Sequence, residues 1–384
     1  MVMKSHLILL LLVGCMLSLV LDGAIAEKVL KPKPKPKHKL TTIMGNAAWM
    51  YPNSQEDIPI LVKQVQKFNT GAGAEHKLKT IFVYGGALPF DGKILYTSAR
   101  IAFANITSSH FLEFVPDALL HASIQAFQKA KIPGLTIHVN LDANLNQDGS
   151  PILKMSNRKL DALVNKVAAY ICKDPLIAGI HLDLEPFGEP FTKQLTHIFA
   201  TMSSNLRNKH TGCRNRVHPK GRVMSVYVEN ASVAVFKALG PNGVLVWPGY
   251  DCTVKPTSVE AYSRAFRKNM MRKLLNVLKH VPNGRFMVAV PAAATQTEFA
   301  YTVVQGHSKS FRSSGKHQFA KKGASYITSA VQNVHKLARN HPGYNGMVLW
   351  KLAAYYTIGA NDERLGPGGA FDVAGEEAWL QENL

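Results

Sequence analysis

Acidic residues are scarce in this sequence. Its 384 residues include 25 Asp and Glu against 45 Lys and Arg, which gives a formal net charge of +20. Such a positive field favours anionic partners, including acidic glycans, cell walls, lipid head groups and nucleic acid. Because the sequence has no nucleic-acid-binding motif, nucleic acid is not expected as a partner.

Other features are missing as well. Beyond the N-terminal region, no apolar stretch is long enough to cross a membrane. No Gly-rich phosphate loop supports an open doubly wound sheet, which is the main alternative to a closed barrel for a chain of alternating strands and helices. No repeat of roughly 20 to 50 residues is present. No cofactor is expected.

The N-terminal region has the pattern of an export signal. Lys4 precedes an apolar run from Leu7 to Leu21, and Ala24-Ile25-Ala26 forms an A-x-A cleavage site. We therefore predict a signal peptide over residues 1–26 and a secreted or periplasmic protein. The alternative is a lipoprotein anchored at Cys15, but lipidation there would leave an apolar stretch on the mature chain.

A tether is predicted to follow over residues 27–39. Pro alternates with Lys from Lys31 to Lys39, and this composition favours an extended, solvated segment. The segment is interpreted as a spacer that also offers contact with an anionic surface.

Few cysteines remain after signal removal. Cys172, Cys213 and Cys252 allow one disulfide and one free thiol, and the sequence does not choose the pair. Their wide spacing is not that of a zinc site, so these cysteines are not assigned as metal ligands.

Strand-like and helix-like segments alternate through the rest of the chain. Eight apolar segments have the pattern of covered parallel strands. They begin near Thr41, Lys79, Gly134, Ala178, Arg222, Gly243, Arg285 and Gly346. Amphipathic helices are predicted between them, for example over Leu160–Ile171, Leu195–Leu206 and Glu260–Leu278. Eight such repeats predict an α/β fold, a (β/α)8 TIM barrel formed by residues 40–384 as a single domain.

Polar residues crowd the predicted carboxyl ends of these strands, where TIM barrels carry their active sites. The candidate site residues are Tyr84, Asn140, Asp142, His181, Asp183, Glu185, Tyr227, Tyr250, Asp251 and Trp350, with Glu229 beside them.

The fourth strand carries the most informative pattern. In GIHLDLEP, His181, Asp183 and Glu185 alternate with leucines and therefore share one face of the strand. Burying two carboxylates for packing alone is costly, so a functional role is favoured for Asp183 and Glu185. For His181, structural and functional roles stay open.

Two chemistries fit the triple. In the first, Glu185 is a general acid whose pKa is raised by the neighbouring charge of Asp183. In the second, His181, Asp183 and Glu185 ligate a divalent metal. The ends of the triple are separated by roughly 13 Å along the strand, which disfavours convergence on one metal.

The sequence resembles the glycoside hydrolase family 18 barrel, which includes chitinases, endo-N-acetylglucosaminidases and chitinase-like lectins. The family pattern D-G-x-D-x-D-x-E matches Gly179, Asp183 and Glu185, whereas Ala178 and His181 replace its first two acids. Two shorter patches are also similar, namely Tyr250-Asp251 after an apolar strand and Trp350 in GMVLWKL. The S-x-G-G pattern of the family's third strand is absent.

The resemblance implies a carbohydrate partner, an amino-sugar glycan, and substrate-assisted hydrolysis. Glu185 would be the acid and base, Asp183 would orient the C2 acetamido group, Tyr250 would hydrogen-bond to it, and Trp350 would stack on the sugar. His181 is the main departure from the pattern. A neutral His181 imidazole could hydrogen-bond to Asp183, and a charged one would keep Asp183 ionised.

Three hypotheses follow. The first is a secreted glycosidase acting on glycans that contain N-acetylhexosamine, in which the positive charge of the chain favours an acidic polymer. The second is a non-catalytic, chitinase-like glycan-binding protein. The third is a metal-dependent phosphodiesterase on a TIM barrel.

Overall fold

The computed structural model describes the chain in segments, all of which lie in a compact unit formed by Leu40–Leu384. The described residues are 43–52, 54–87, 118–144, 155–185, 187–188, 192–249, 258–291, 300–305, 308–313, 325–352, 357–358, 363–364 and 376–384. None of the helices within these segments is long and apolar enough to span a membrane.

Eight parallel strands form a closed barrel. In chain order, the described strands are β1 (Asn46–Met50), β2 (Leu78–Ala87), β3 (Thr136–Asn144), β4 (Ile177–Glu185), β5 (Val223–Tyr227), β6 (Gly243–Pro248), β7 (Phe286–Pro291), β8 (Ala300–Gln305), β9 (Ser308–Ser313), β10 (Tyr344–Leu352), β11 (Thr357–Ile358) and β12 (Glu363–Arg364). The barrel order is β1-β10-β7-β6-β5-β4-β3-β2, and β1 pairs with both β10 and β2. The TIM-barrel prediction and all eight predicted strands are confirmed.

Two short antiparallel sheets stand apart from the barrel. Strands β8 and β9 form one between β7 and the next described helix, and β11 and β12 form the other after β10. Neither was predicted from the sequence.

Helices connect the barrel strands. The described helices are α1 (Asp57–Gly71), α2 (Leu120–Ala130), α3 (Asn157–Lys173), α4 (Thr192–Leu206), α5 (Val233–Leu239), α6 (Val259–Ala265), α7 (Arg272–Leu278), α8 (Ser325–Leu337) and α9 (Glu376–Asn383). A π-helical segment, Phe266–Met271, joins α6 to α7, so the predicted Glu260–Leu278 helix is one continuous element with wider turns in its middle. The hydroxyl of Ser258 caps it by accepting from the Ala261 amide.

The apolar core has two parts. The larger lies between the barrel and the helices and includes Leu182 and Leu184 of β4. The smaller fills the barrel interior and includes Trp49, Phe82 and Tyr227. Alternate residues of each strand therefore face helices or the barrel axis, as the period of a strand requires.

A disulfide joins Cys172 to Cys213 below β4. The sequence left this pairing open, and Cys252 lies outside the described residues. The buried guanidinium of Arg222 lies nearby and donates to the carbonyl oxygens of Ile177, Cys172 and Asp174, at 2.5, 3.4 and 3.2 Å. These contacts bind the start of β5 to the segment that precedes β4.

Candidate active site

Strand β4 directs its polar residues toward the barrel axis. His181 is fully buried, whereas Asp183 and Glu185 are only half-buried, and the leucines between them pack against the helices. Exposure therefore increases along the strand toward its carboxyl end. This gradient places Asp183 and Glu185 at the mouth of the barrel and His181 beneath them.

His181 belongs to a sealed stack of rings. Its imidazole is parallel to the ring of Phe82, with 4.1 Å between centroids and 5° between planes. The indole of Trp49 meets it edge-on at 5.3 Å. Burial, together with the neighbouring His138, lowers the pKa of His181 well below its usual value of 6.5, so the imidazole is neutral at physiological pH.

The hydrogen bond of His181 goes to Ser225 and not to Asp183. The Nδ1 atom lies 2.9 Å from Ser225 Oγ, and the register of β4 and β5 places these two residues side by side. Asp183 lies two residues further along β4, which is roughly 7 Å of strand rise. The sequence analysis considered a neutral and a charged His181 imidazole, both acting on Asp183. The lowered pKa favours the neutral imidazole, and its hydrogen-bond partner is Ser225.

Gly179 is required by close packing below His181. A Cβ atom built on Gly179 would lie 2.5 Å from the carbonyl oxygen of Val223 and 2.7 Å from Cε1 of His138. His138 is buried, and burial is the main reason that its pKa falls to about 3, with a smaller contribution from His218. We call Trp49, Phe82, His138, His181 and Ser225 the lower layer of the barrel interior.

Strand β3 adds a third carboxylate next to β4. Asp142 pairs in register with Asp183, and neighbouring strands are about 4.8 Å apart. Asp142 accepts a 3.4 Å hydrogen bond from the Tyr84 hydroxyl. Asn140 pairs in register with His181 and donates to the Tyr51 hydroxyl at 2.8 Å. Tyrosines of β2 and of the β1 end thus fix the polar side chains of β3.

Aromatic rings form the floor beside these carboxylates. Trp350 of β10 is half-buried and meets Trp49 edge-on, with centroids 5.1 Å apart. Tyr51 lies 5.8 Å from Trp350 and 5.5 Å from Tyr84. We call Tyr51, Tyr84, Asp142, Asp183, Glu185 and Trp350 the upper layer. It combines carboxylates with aromatic surface.

The remaining predicted site residues divide into two groups. Tyr227 is buried in the interior, with its ring 6.4 Å from that of Trp49. Tyr250 and Asp251 lie outside the described residues. The chain just before them is fixed, because Gly249 donates to the Ala289 carbonyl at 2.8 Å and accepts from the Tyr262 hydroxyl at 3.2 Å.

Sequence reasoning missed five residues of this interior, namely Trp49, Tyr51, Phe82, His138 and Ser225. Trp49 of β1 alternates with Tyr51 just after it, and Phe82 alternates with Tyr84 as His138 does with Asn140, so this alternation is the signal that could have placed them on the inner face. Ser225 alternates with Tyr227 on β5 in the same way. Among the residues that the structure describes, no three His, Cys, Asp or Glu side chains are grouped so as to hold a metal ion.

Known proteins that are similar to this chain are found among solved structures. No protein-family model matches the sequence, and no curated protein matches it significantly. Similar solved structures include a class V chitinase from Pseudomonas fluorescens Pf-5, with 13% identity, a TM-score of 0.49, and coverage of 88% of this chain and 99% of that one.

Two further similar structures are also glycoside hydrolases. A family 18 N-acetylglucosaminidase from Paenibacillus barengoltzii has 11% identity to this chain and a TM-score of 0.42. The superposition covers 80% of this chain and 95% of the enzyme. An endo-beta-1,4-glucanase from Xanthomonas axonopodis pv. citri has 10% identity and a TM-score of 0.47, with 88% and 98% coverage.

Proposed function

We propose that this protein is a secreted glycoside hydrolase that cleaves glycans containing N-acetylhexosamine, with Glu185 as acid and base. One observation carries the proposal. Asp183 and Glu185 lie half-buried at the carboxyl end of β4, in a barrel mouth that also holds the half-buried indole of Trp350. Paired carboxylates beside aromatic surface suit the cleavage of a sugar bond.

The proposed reaction uses the acetamido group of the substrate as its nucleophile, as the resemblance to family 18 implies. Glu185 gives its proton to the leaving glycosidic oxygen while the acetamido oxygen attacks the anomeric carbon. Asp183 accepts a hydrogen bond from the acetamido N–H and stabilises the positive oxazolinium ring. Glu185 then takes a proton from water, which opens the ring with overall retention and restores the acid.

Trp350 and Tyr250 complete the proposed roles. Trp350 offers a ring face for stacking on the pyranose, and its edge-on contact with Trp49 supports this orientation. Tyr250, which lies outside the described residues, is proposed to donate to the acetamido oxygen. Tyr84, Asn140, Asp142, Tyr227, Asp251 and His181 remain candidates for shaping the sugar subsite, and Tyr84 does so by orienting Asp142.

The test is hydrolysis of an aryl chitobioside by the wild-type chain and by Glu185→Gln. We expect kcat to fall at least about 100-fold, because the amide cannot donate or accept the transferred proton. Glu75→Gln is the matched control, since Glu75 is exposed and precedes β2 at the opposite end of the barrel. Unchanged turnover in Glu185→Gln would refute the proposal.

A chitinase-like binding protein without catalysis is the second candidate. It is favoured by the neutral His181, which replaces an acid of the family pattern and hydrogen-bonds to Ser225. This candidate predicts sugar binding by calorimetry without turnover between pH 4 and 8, in wild type and Glu185→Gln alike.

A metal-dependent phosphodiesterase is the third candidate, and the positive charge of the chain motivates it. The Nδ1 atom of His181 is hydrogen-bonded to Ser225 on β5, so this nitrogen is not available to ligate a metal. This candidate predicts activity on a phosphodiester that EDTA removes, and turnover that resists the chelator would refute it.

A further inference from the structure

The helical segment after β6 carries a row of cations on the outside of the barrel. Five of its side chains line a groove of about 730 Å³ together with Leu275, Asn276 and Leu337 of α8. The five are Arg264, Arg267, Lys268, Arg272 and Lys279, and all are exposed. Arg267 and Lys268 are adjacent and the others are three to seven residues from their neighbours, and all five side chains reach the same groove.

The acidic side chains of the described segments do not neutralise this row. Among the described residues, none of the five cations is within 4 Å of a carboxylate in an ion pair. Glu260 is the one acid of the segment, and its pKa is lowered first by its own backbone amide and the Ser258 hydroxyl, with Arg264 contributing least. The Glu260 carboxylate therefore interacts mainly with groups at the start of the helix and less with the cations of the groove.

The groove is long and runs along the barrel wall. From Arg264 to Lys279 the helix rises about 22 Å at its usual 1.5 Å per residue. Helices of a TIM barrel run antiparallel to the strands, so the Arg264 end is nearer the face that carries Asp183 and Glu185. A linear ligand with repeated negative charge would match the row along its whole length.

We propose that this groove binds an anionic polysaccharide, a glycan chain with repeated carboxylate or sulfate groups. Such binding would specify the charge of the substrate in the proposed function. The choice of a glycan rather than another polyanion rests on that function. The groove would hold a part of the polysaccharide that is not being cleaved, while another part of the same polysaccharide occupies the barrel mouth.

The lining of the groove favours a glycan over the other polyanions. It contains no aromatic side chain among its described residues, whereas single-stranded nucleic acids are held by stacking on such rings. Membrane-bound helices insert an apolar face, but Phe266, Met270, Leu274 and Leu278 of this helix are buried against the barrel.

The experiment measures binding of two probes, a heparin oligosaccharide and polygalacturonate, to the full chain by calorimetry. The groove variant is Arg267→Glu/Lys268→Glu/Arg272→Glu. Its control, Lys63→Glu/Lys166→Glu/Lys209→Glu, makes the same change in net charge at exposed positions on α1, α3 and the segment after α4. Both variants keep the basic N-terminal segment, so its contribution is the same in each.

We expect the groove variant to bind at least one probe about tenfold more weakly, and the control to change by less than about threefold. Equal weakening in the two variants, or no binding by the wild type, would overturn the proposal. So would tighter binding of duplex DNA or of phosphatidylserine vesicles that is lost in the same groove variant. Circular dichroism of each variant checks that it is folded.

A second measurement separates this proposal from the proposed function. Hydrolysis of the small, uncharged aryl chitobioside should be the same in the groove variant as in wild type, because this substrate does not reach the groove. Glu185→Gln should keep its affinity for the anionic probe. A wild type that binds the probe through the groove but cleaves no glycan would refute the proposed function and leave the groove proposal intact.

Discussion

The lower and upper layers of the barrel interior share strands β2, β3 and β4, yet their polar groups differ in exposure. In the lower layer, His138 and His181 are sealed among aromatic rings and held neutral by burial. In the upper layer, two residues further along β4, Asp183 and Glu185 are half-exposed. Exposure of polar side chains in this interior therefore depends on their distance from the mouth, and two residues along β4 separate a buried polar group from an accessible one.

The largest effect is expected when charge enters the lower layer. His181→Asp should lower the free energy of unfolding by about 3–5 kcal/mol at pH 7, because it buries a carboxylate beside Phe82 and Trp49. Urea denaturation measures the change.

Two controls sharpen this result. His181→Gln keeps a neutral polar group and should cost less than His181→Asp, whereas Asp183→Asn in the upper layer should change stability by no more than about 1 kcal/mol. Equal stability of His181→Asp and wild type would mean that the lower layer is not sealed.

The second largest effect is expected from low pH, which should lower the free energy of unfolding through the buried histidines of the lower layer. The pKa of His138 is about 3 in the folded chain and 6.5 when unfolded, so the unfolded state binds more protons below pH 6.5. Its stabilising contribution is full above pH 6.5, and about 2 kcal/mol of it is lost on going down to pH 5. His181 acts in the same direction.

Urea midpoints between pH 5 and 7.5 test this dependence. His138→Gln should flatten the profile, whereas His121→Gln, which removes an exposed histidine on α2, should leave it unchanged. A wild-type profile that is flat over this range would contradict the prediction.

A smaller loss is expected at the base of the lower layer. Gly179→Ala should cost about 1–3 kcal/mol, because the new methyl group would meet the Val223 carbonyl at 2.5 Å and the backbone there cannot move aside. Gly134→Ala is not a clean control because Gly134 has a φ of 73°. Gly73→Ala is better, since its nearest atom is on the side chain of His76, 3.3 Å away. Thermal unfolding of the two variants measures the difference.

The smallest change in stability is expected at the floor of the upper layer. Trp350→Phe should raise KM for an aryl chitobioside about 3- to 10-fold and shift stability by less than about 1 kcal/mol, because this ring is half-exposed. Trp49→Phe, at a fully buried ring, should do the reverse and mainly lower stability. If both variants lose only stability, Trp350 is a packing residue.

The barrel could be predicted from the sequence because each strand carries its own local signal. The runs at Ile177–Glu185 and Tyr344–Leu352 are apolar over most of their length, and the helical pattern from Glu260 to Leu278 is continuous. The β8–β9 hairpin was missed, although Gly306-His307 between two short strands is a turn signal. The π-helical segment has no comparable signal, because its apolar spacing still fits an ordinary helix.

The site could be predicted only as a set of strand ends. The alternation in GIHLDLEP indicated that His181, Asp183 and Glu185 share a face, and the structure places them along the barrel axis. The partner of His181 could not be predicted, because Ser225 is 44 residues away and its approach depends on the register of β4 with β5. The pairing of Cys172 with Cys213 is also a long-range contact that spacing alone does not choose.

That disulfide encloses the candidate catalytic strand in a covalent ring. Cys172 lies in the last turn of α3 and Cys213 precedes β5, so β4 and α4 lie in a loop of 41 residues. Closure of this loop stabilises the fold by about 4 kcal/mol in the chain-entropy model. Both cysteines are buried, so a reductant can reach them only after this quarter of the barrel has opened. The rate at which dithiothreitol releases the two thiols would therefore measure the rate of local opening beneath Asp183 and Glu185.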